Sequence, residues 1–191
     1  MKRPVFVAVR ASHGLQTNVA SIRNRPELSS LPIRWTLGKD LHITLIPPWE
    51  EENVDEIKKK LNGFQGTTGE FRITFEKLAF GPNGEKPRLL WLKAMPSEKL
   101  RRLKEELEQL LKHKSKYKDW IIHMTLGKFE PEDFSLSWLN SLPPGLFVIQ
   151  EEINSIALIE SVPTEHDIPI SSASSRATGQ ARFDILYEVK L

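Results

Sequence analysis

His42-Ile43-Thr44-Leu45 and His123-Met124-Thr125-Leu126 are two copies of one tetrapeptide, His-x-Thr-Leu, in a chain of 191 residues that has only five histidines. Each copy lies in an apolar stretch rich in β-branched residues, residues 41–46 and 120–126, which predicts a strand. Side chains alternate between the two faces of a strand. Each strand is therefore expected to present one imidazole and one hydroxyl from the same face, with an apolar face behind them.

Outside the motifs, strands and helices are mixed along the chain. The Pro47-Pro48 pair is predicted to end the first motif strand. Further strands are predicted at residues 5–9, 33–37, 71–80, 89–94, 146–149, 153–159 and 182–189, and helices at residues 15–23, 54–62, 136–142 and after Ser97. This order favours an α+β fold with antiparallel sheets over a doubly wound parallel sheet. We expect one domain, residues 1–191, of two pseudo-symmetric lobes with helices packed outside and the motif strands facing a central cleft.

Composition limits the class of protein. Hydrophobic residues make up 39% of the chain and charged residues 27%, which is typical of a soluble globular protein. No apolar run approaches the roughly 20 residues that cross a membrane, and the N-terminal segment predicts a first strand and not a signal peptide. The absence of cysteine excludes disulfides, a thiol nucleophile and a thiolate zinc site. A cytoplasmic location is the default expectation.

Two imidazoles facing one ligand can divide the work of acid and base, because an unperturbed histidine is close to half protonated near neutral pH. Threonine hydroxyls can donate hydrogen bonds to anionic oxygens, and Lys128 could add a cation. A phosphodiester is a suitable ligand for these imidazoles, hydroxyls and the lysine. No metal or other cofactor is needed if hydrogen-bond donors stabilise the negative charge on the phosphoryl oxygens. One copy alone would more often be a hydrogen-bonded pair in the core; the matched second copy favours a functional site.

Metal binding is the main competing interpretation of the histidine pair. A metal site needs a third or fourth ligand and a carboxylate near the histidine pair, and the threonine positions of the motifs hold no such ligand. The other histidines, His13, His113 and His166, are possible ligands in principle, but their spacing selects none of them.

Two further segments have open interpretations. The basic run from Lys112 to Lys118 is either the solvated end of a helix or a contact for a phosphate backbone. Residues 162–180 are rich in Ser, Pro, Thr and Ala and predict a long loop, of the kind that is often functional or disordered.

At the two motifs the chain resembles the 2H (two-histidine) phosphoesterases, in the branch of RNA 2',3'-cyclic phosphodiesterases and 2'-5' RNA ligases. The likeness extends to residues 33–35 and 40–42, to the strand at 87–92, and to the C-terminal segments 158–161 and 183–186. It implies a bilobal fold and opening of a 2',3'-cyclic phosphate to a 2'-phosphate without metal or ATP. His42 would be the general acid, His123 the general base, and Thr44, Thr125 and Lys128 would hold the phosphate.

The resemblance also implies a partner: RNA or an oligonucleotide with a cyclic phosphate end, or a small cyclic nucleotide, bound by a monomer. Ligation or cleavage of 2'-5' linkages is the alternative reaction, and a non-catalytic module that binds RNA ends is the alternative class. Two features depart from the family. Trp49 follows the prolines, where it could stack on a base or simply pack, and Arg176 lies in the long loop, from which it could reach substrate.

Overall fold

Strands account for most of the regular structure in the computed structural model, which describes residues 2–82, 85–114, 120–142, 148–162 and 182–191. The strands in these ranges are β1 (Arg3–Arg10), β2 (Arg34–Trp35), β3 (His42–Glu51), β4 (Phe71–Gly81), β5 (Leu89–Ala94), β6 (His123–Lys128), β7 (Ile149–Ile153), β8 (Ser155–Val162) and β9 (Arg182–Lys190). The helices are α1 (His13–Arg23), α2 (Pro26–Ser29), α3 (Val54–Asn62), α4 (Glu98–Leu111) and α5 (Trp138–Ser141), with 3-10 turns at Gly38–Asp40 and Pro131–Asp133.

The strands form two antiparallel sheets. Sheet A has the order β3-β1-β8-β9, and sheet B has the order β2-β6-β5-β4-β7. The first motif strand, β3, lies at the edge of sheet A, and the second, β6, lies inside sheet B and contacts β3. This confirms the predicted α+β fold. The two sheets do not correspond to consecutive halves of the chain, because sheet A combines β1 and β3 with the C-terminal strands β8 and β9.

The predicted helices begin at polar caps. The side chains of Ser12, Asn53 and Ser97 each accept a hydrogen bond from the backbone N–H three residues later. In α4 the stripe of leucines at 100, 103, 107 and 111 is at most 3% exposed. Burial of each contributes on the order of 2 kcal/mol. Helices α3 and α4 contact each other and strands of sheet A, as expected for helices outside the sheets. Within the described residues no helix is both long and apolar enough to cross a bilayer.

The prediction that Pro47 and Pro48 end the first motif strand is wrong, because β3 continues to Glu51. β3 is an edge strand, and proline is tolerated at an edge, where its missing N–H removes no bond between strands. Val7 pairs with Ile46 and Val5 pairs with Trp49, so β3 has one residue more than β1 between these pairs. The prolines therefore lie in a β-bulge.

Other boundaries differ from prediction. β6 begins at His123 and not at residue 120, and β2 is limited to Arg34–Trp35. The predicted strand at 146–149 lies partly outside the described residues, and β7 instead runs from Ile149 to Ile153. At the centre of β7, Glu151 is buried, and it accepts hydrogen bonds from the N–H and the hydroxyl of Ser12. The sequence patterns did not predict helix α2.

Candidate active site

The two motif histidines are held in the same way. Nδ1 of His42 lies 2.6 Å from the carbonyl oxygen of Asp40, and Nδ1 of His123 lies 2.8 Å from the carbonyl oxygen of Ile121. A carbonyl oxygen only accepts, so Nδ1 carries the hydrogen in both rings. Nε2 is therefore the nitrogen that gains or loses a proton in each imidazole.

A β-bulge follows each His-x-Thr at the same position of the motif. The registered pairs around the bulges are Thr44 with Ala8, Ile46 with Val7, Thr125 with Trp91, and Gly127 with Leu90. Leu45 and Leu126, the last residues of the two motifs, are the extra residues, and both are fully buried. A bulge bends its strand and re-aims the side chains beyond it. The repeated tetrapeptide thus corresponds to a repeated local structure.

The bulge at Leu126 decides where Lys128 points. Strict alternation from Thr125 would place Lys128 on the opposite face of β6. The extra residue reverses this, and Lys128 pairs with Arg34 on β2 and Leu89 on β5, with all three lining one cavity. Lys128 therefore shares the face of His123 and Thr125.

A cavity of about 550 Å³ lies between the two sheets. It is lined by Arg34, Thr36, His42, Arg88, Leu89, Thr125, Lys128, Phe129, Glu130, Pro131 and Phe183. Of the five predicted phosphate-site residues, His42, Thr125 and Lys128 line it. Thr44 and His123 do not line it, but each shares a strand face with a motif residue that does. His42 and His123 are also close enough for the charge of His123 to lower the pKa of His42.

Aromatic rings fix both imidazoles. The ring of His42 lies 5.0 Å from that of Phe6 and 5.2 Å from that of Phe183, measured between centroids. Phe6 belongs to a small apolar cluster on the cleft face of sheet A. The ring of His123 lies on Trp91, with centroids 4.1 Å apart. Apolar packing restricts the rotation of each ring, so Nε2 keeps one direction.

Burial lowers the pKa of both histidines below that of an ordinary imidazole. For His42 desolvation is the largest cause; the Asp40 carbonyl opposes it by raising the pKa, and the charges of His123 and Lys128 lower the pKa further. For His123 desolvation is again the largest cause, opposed by the Ile121 carbonyl and assisted by Lys93. Each ring is therefore a weaker base and a stronger acid than a free imidazole.

Sequence reasoning did not assign a role to the two arginines of the cavity. Arg34 donates to Glu130 across 2.9 Å, and exposed Arg88 lines the cavity just before β5. Arg34 is the first residue of β2 and Arg88 immediately precedes β5, and these two strands flank β6 in sheet B. Nothing local in the sequence indicates that β2 and β5 both pair with β6, so neither arginine is predicted as part of the site.

Trp49, a predicted substrate contact, is not among the described residues that line this cavity. Trp49 lies on the imidazole of His113, with centroids 4.6 Å apart, and its indole N–H donates to Glu51 across 3.0 Å. Arg176 lies outside the described residues, as does the rest of the predicted loop after Val162. Lys112 and Lys114 are exposed at the end of α4, and residues 115–119 of the basic run are not described.

Within the described ranges no group of three or more His, Asp or Glu side chains is placed to hold a metal ion. The carboxylate of the cavity, Glu130, is paired with Arg34. The groups that face the cavity are therefore hydrogen-bond donors and cations, which suit a ligand with anionic oxygens.

The family model of the 2'-5' RNA ligase superfamily matches residues 15–162, which include both motifs. The chain belongs to the 2'-5' RNA ligase superfamily. The resemblance to 2H phosphoesterases is thereby confirmed. Among curated proteins, this family member is 30% identical over 129 residues to the RNA 2',3'-cyclic phosphodiesterase of Archaeoglobus fulgidus, covering 65% of this chain and 71% of the relative.

Solved structures share the fold. TT0787 of Thermus thermophilus superposes with a TM-score of 0.72 at 19% identity, covering 98% of this chain and 97% of that one. Apo LigT of E. coli superposes with a TM-score of 0.67 at 16% identity, covering 99% and 97%. These neighbours match the two antiparallel sheets. The family and the named relative together indicate an enzyme of the phosphodiesterase or ligase type.

Proposed function

We propose that this protein is a metal-independent phosphodiesterase that hydrolyses a 2',3'-cyclic phosphate, at the end of RNA or on a nucleotide, to a 2'-phosphate. The observation that carries the proposal is the matched pair of Nδ1–carbonyl hydrogen bonds, which leaves Nε2 of His42 and of His123 for proton transfer. The family membership and the name of the Archaeoglobus relative support the same substrate class.

The proposed reaction is an in-line displacement at phosphorus. Nε2 of neutral His123 takes a proton from water, whose oxygen forms the new bond to phosphorus. The bond from phosphorus to the 3' oxygen breaks, and Nε2 of protonated His42 gives that oxygen its proton. One proton is taken up and one is released, so the pair returns to its starting state after proton exchange with solvent.

The charge on the phosphoryl oxygens needs fixed donors. We assign this to the hydroxyls of Thr44 and Thr125 and to the ammonium group of Lys128, which the β6 bulge turns to the cavity. Preorganised donors stabilise charge as it develops, and each donor lost from such a site typically costs about a hundredfold or more in rate.

Hydrolysis of a nucleoside 2',3'-cyclic phosphate in the presence of EDTA tests the proposal. We expect turnover to persist in EDTA and kcat to fall at least about a hundredfold in His42→Ala and in His123→Ala. His13→Ala is the matched control, since His13 begins α1, away from this cavity, and should leave the rate unchanged. Full activity in either motif variant would contradict the mechanism.

Ligation, in which a 5'-hydroxyl replaces water as the nucleophile and forms a 2'-5' linkage, is the second candidate, favoured by the description of the matching family. His123 would take the proton of the 5'-hydroxyl as its oxygen bonds to phosphorus, and His42 would protonate the departing 3' oxygen, so the same two histidines would serve. Incubation of a 2',3'-cyclic end with a free 5'-hydroxyl end tests it: ligated product sensitive to His42→Ala supports ligation. Binding without turnover on any of these substrates would indicate a non-catalytic module.

A further inference from the structure

Glu151 is a buried carboxylate that the proposed reaction does not use. It lies at the centre of β7 in sheet B, is 5% exposed, and is not among the described residues that line the cavity between the sheets. Its two oxygens accept from the backbone N–H of Ser12 across 2.6 Å and from the hydroxyl of Ser12 across 2.8 Å. Because burying a carboxylate is costly unless its oxygens are hydrogen-bonded, this pair holds Ser12 at one place against sheet B.

Ser12 is one residue away from a contact with the first motif. Ala11, which is buried, donates its N–H to the carbonyl oxygen of Leu41 across 2.9 Å. Leu41 lies between His42 and Asp40, whose carbonyl oxygen is 2.6 Å from Nδ1 of His42. The buried carboxylate of β7 is thus joined by two hydrogen-bonded steps to the backbone that holds the imidazole.

Helix α1, which begins after Ser12, packs on the same backbone. It contacts the 3-10 turn Gly38–Asp40. A Cβ on Gly38 would lie 3.2 Å from the side-chain oxygen of Gln16, so the helix and the turn are in close contact. Gln16 also donates its side-chain N–H to the carbonyl oxygen of Ala11 across 3.0 Å. A displacement of the start of α1 would therefore displace the turn that carries the Asp40 carbonyl.

We propose that Glu151 is a positioning residue for the general acid: by fixing Ser12, it keeps the carbonyl oxygen of Asp40 in contact with Nδ1 of His42. The inference rests on the proposed function, because it takes His42 as the acid, and it adds a residue of sheet B to the support of a histidine on sheet A. The tautomer and the direction of the ring depend on that carbonyl. So does its pKa, since the bond to Asp40 raises the pKa of His42 against the larger effect of burial.

Glu151→Gln tests the inference. The amide keeps the shape of the side chain but has one accepting oxygen in place of two, so one donor of Ser12 loses its acceptor. We expect kcat for a nucleoside 2',3'-cyclic phosphate to fall about tenfold or more with a smaller change in KM, because a small displacement of a catalytic group costs rate. An NMR titration should show a lower pKa for His42, whose signal is assigned by its loss in His42→Ala, and little change for His123.

Glu152→Gln is the matched control. Glu152 is the next residue of β7 and is exposed, so this change removes the same charge from the other face of the strand. Both kcat and the titration of His42 should keep their wild-type values.

Variants of Ser12 test the same contact from its other side. Ser12→Thr keeps both donors and should behave as wild type. Ser12→Ala loses the hydroxyl, and it should change kcat and the pKa of His42 in the same direction as Glu151→Gln, which keeps the test intact if Glu151→Gln does not fold. In the double variant the loss of kcat should be smaller than the product of the two single losses, as expected for residues in contact.

An unmoved titration of His42 in Glu151→Gln would overturn the inference, whatever happens to kcat, since a purely structural role lowers stability without changing this ring. The titration needs no turnover, so it separates the inference from the proposed reaction. A shifted His42 titration in a protein without turnover on cyclic phosphates would keep the positioning role and sink the reaction. Turnover with an unmoved titration would do the reverse.

Discussion

The surroundings of the two histidines set the pH dependence of the reaction. Activity needs one ring protonated and the other neutral, so kcat/KM rises through the lower pKa and falls through the higher one. Burial lowers both pKa values from the ordinary 6.5. We therefore expect a bell-shaped profile whose maximum lies below pH 6.5, measured with a cyclic mononucleotide across the acid and neutral range. A maximum above pH 7 would contradict this electrostatic picture.

Trp91 positions His123 through the contact between their rings. Trp91→Ala removes that support and should lower kcat about tenfold or more with a smaller effect on KM, together with a loss of stability of about 3–5 kcal/mol. Trp91→Phe keeps a ring at the same place. It also removes an indole N–H that is buried with no partner among the described residues. Trp91→Phe should therefore retain most of the wild-type kcat and most of the wild-type stability. Rates and urea unfolding of the two variants, measured side by side, separate positioning from folding; equal kcat values would exclude positioning.

Single residues differ in how far the sequence predicts them. His42, Thr44, His123 and Thr125 follow from the repeat and from strand alternation alone. Lys128 lines the cavity, but strict alternation would place it on the opposite face of β6, and only the bulge brings it to this side. Arg88 could not be predicted from its neighbours, because its position depends on the pairing of β5 with β6, which is set by packing across the whole molecule.

Close approach between strands β2 and β6 depends on Gly127. A Cβ there would lie 2.4 Å from a methyl carbon of Ile33 and 3.0 Å from the carbonyl oxygen of Arg34. Gly127→Ala should therefore push β2 away from the cavity. We expect this to raise KM several-fold for a nucleotide with a 2',3'-cyclic phosphate and to lower the urea concentration at the midpoint of unfolding. Gly63→Ala is a matched control, since a Cβ there meets nothing closer than 3.7 Å. Wild-type kinetics in Gly127→Ala would show that β2 does not support the site.

Elements with strong periodicity and caps are predicted well. The three longer helices begin where Ser12, Asn53 and Ser97 indicate. Strand ends are predicted less well, for physical reasons that can be named. The prolines of β3 are tolerated at a sheet edge, and Glu151 of β7 is buried where it accepts hydrogen bonds from Ser12, the N-cap residue of α1. Both depend on a partner that is distant in sequence.

At the scale of the whole molecule, the α+β class and the antiparallel sheets follow from the mixed order of elements. The strand order within the sheets does not, because it joins segments from opposite ends of the chain. Sheet A unites residues 3–10 with residues 182–190, and no local signal in either segment selects the other.

The position of β9 in sheet A affects when the active site can form during synthesis and folding. Phe183, which packs on the ring of His42, belongs to a strand made by the ribosome after both motifs. During synthesis, the two histidines therefore emerge long before the apolar support of His42 is complete. Contacts between such distant segments also slow folding, since a long loop must close before they form. The active site is therefore expected to form late in folding, after β9 has been synthesised and has joined sheet A.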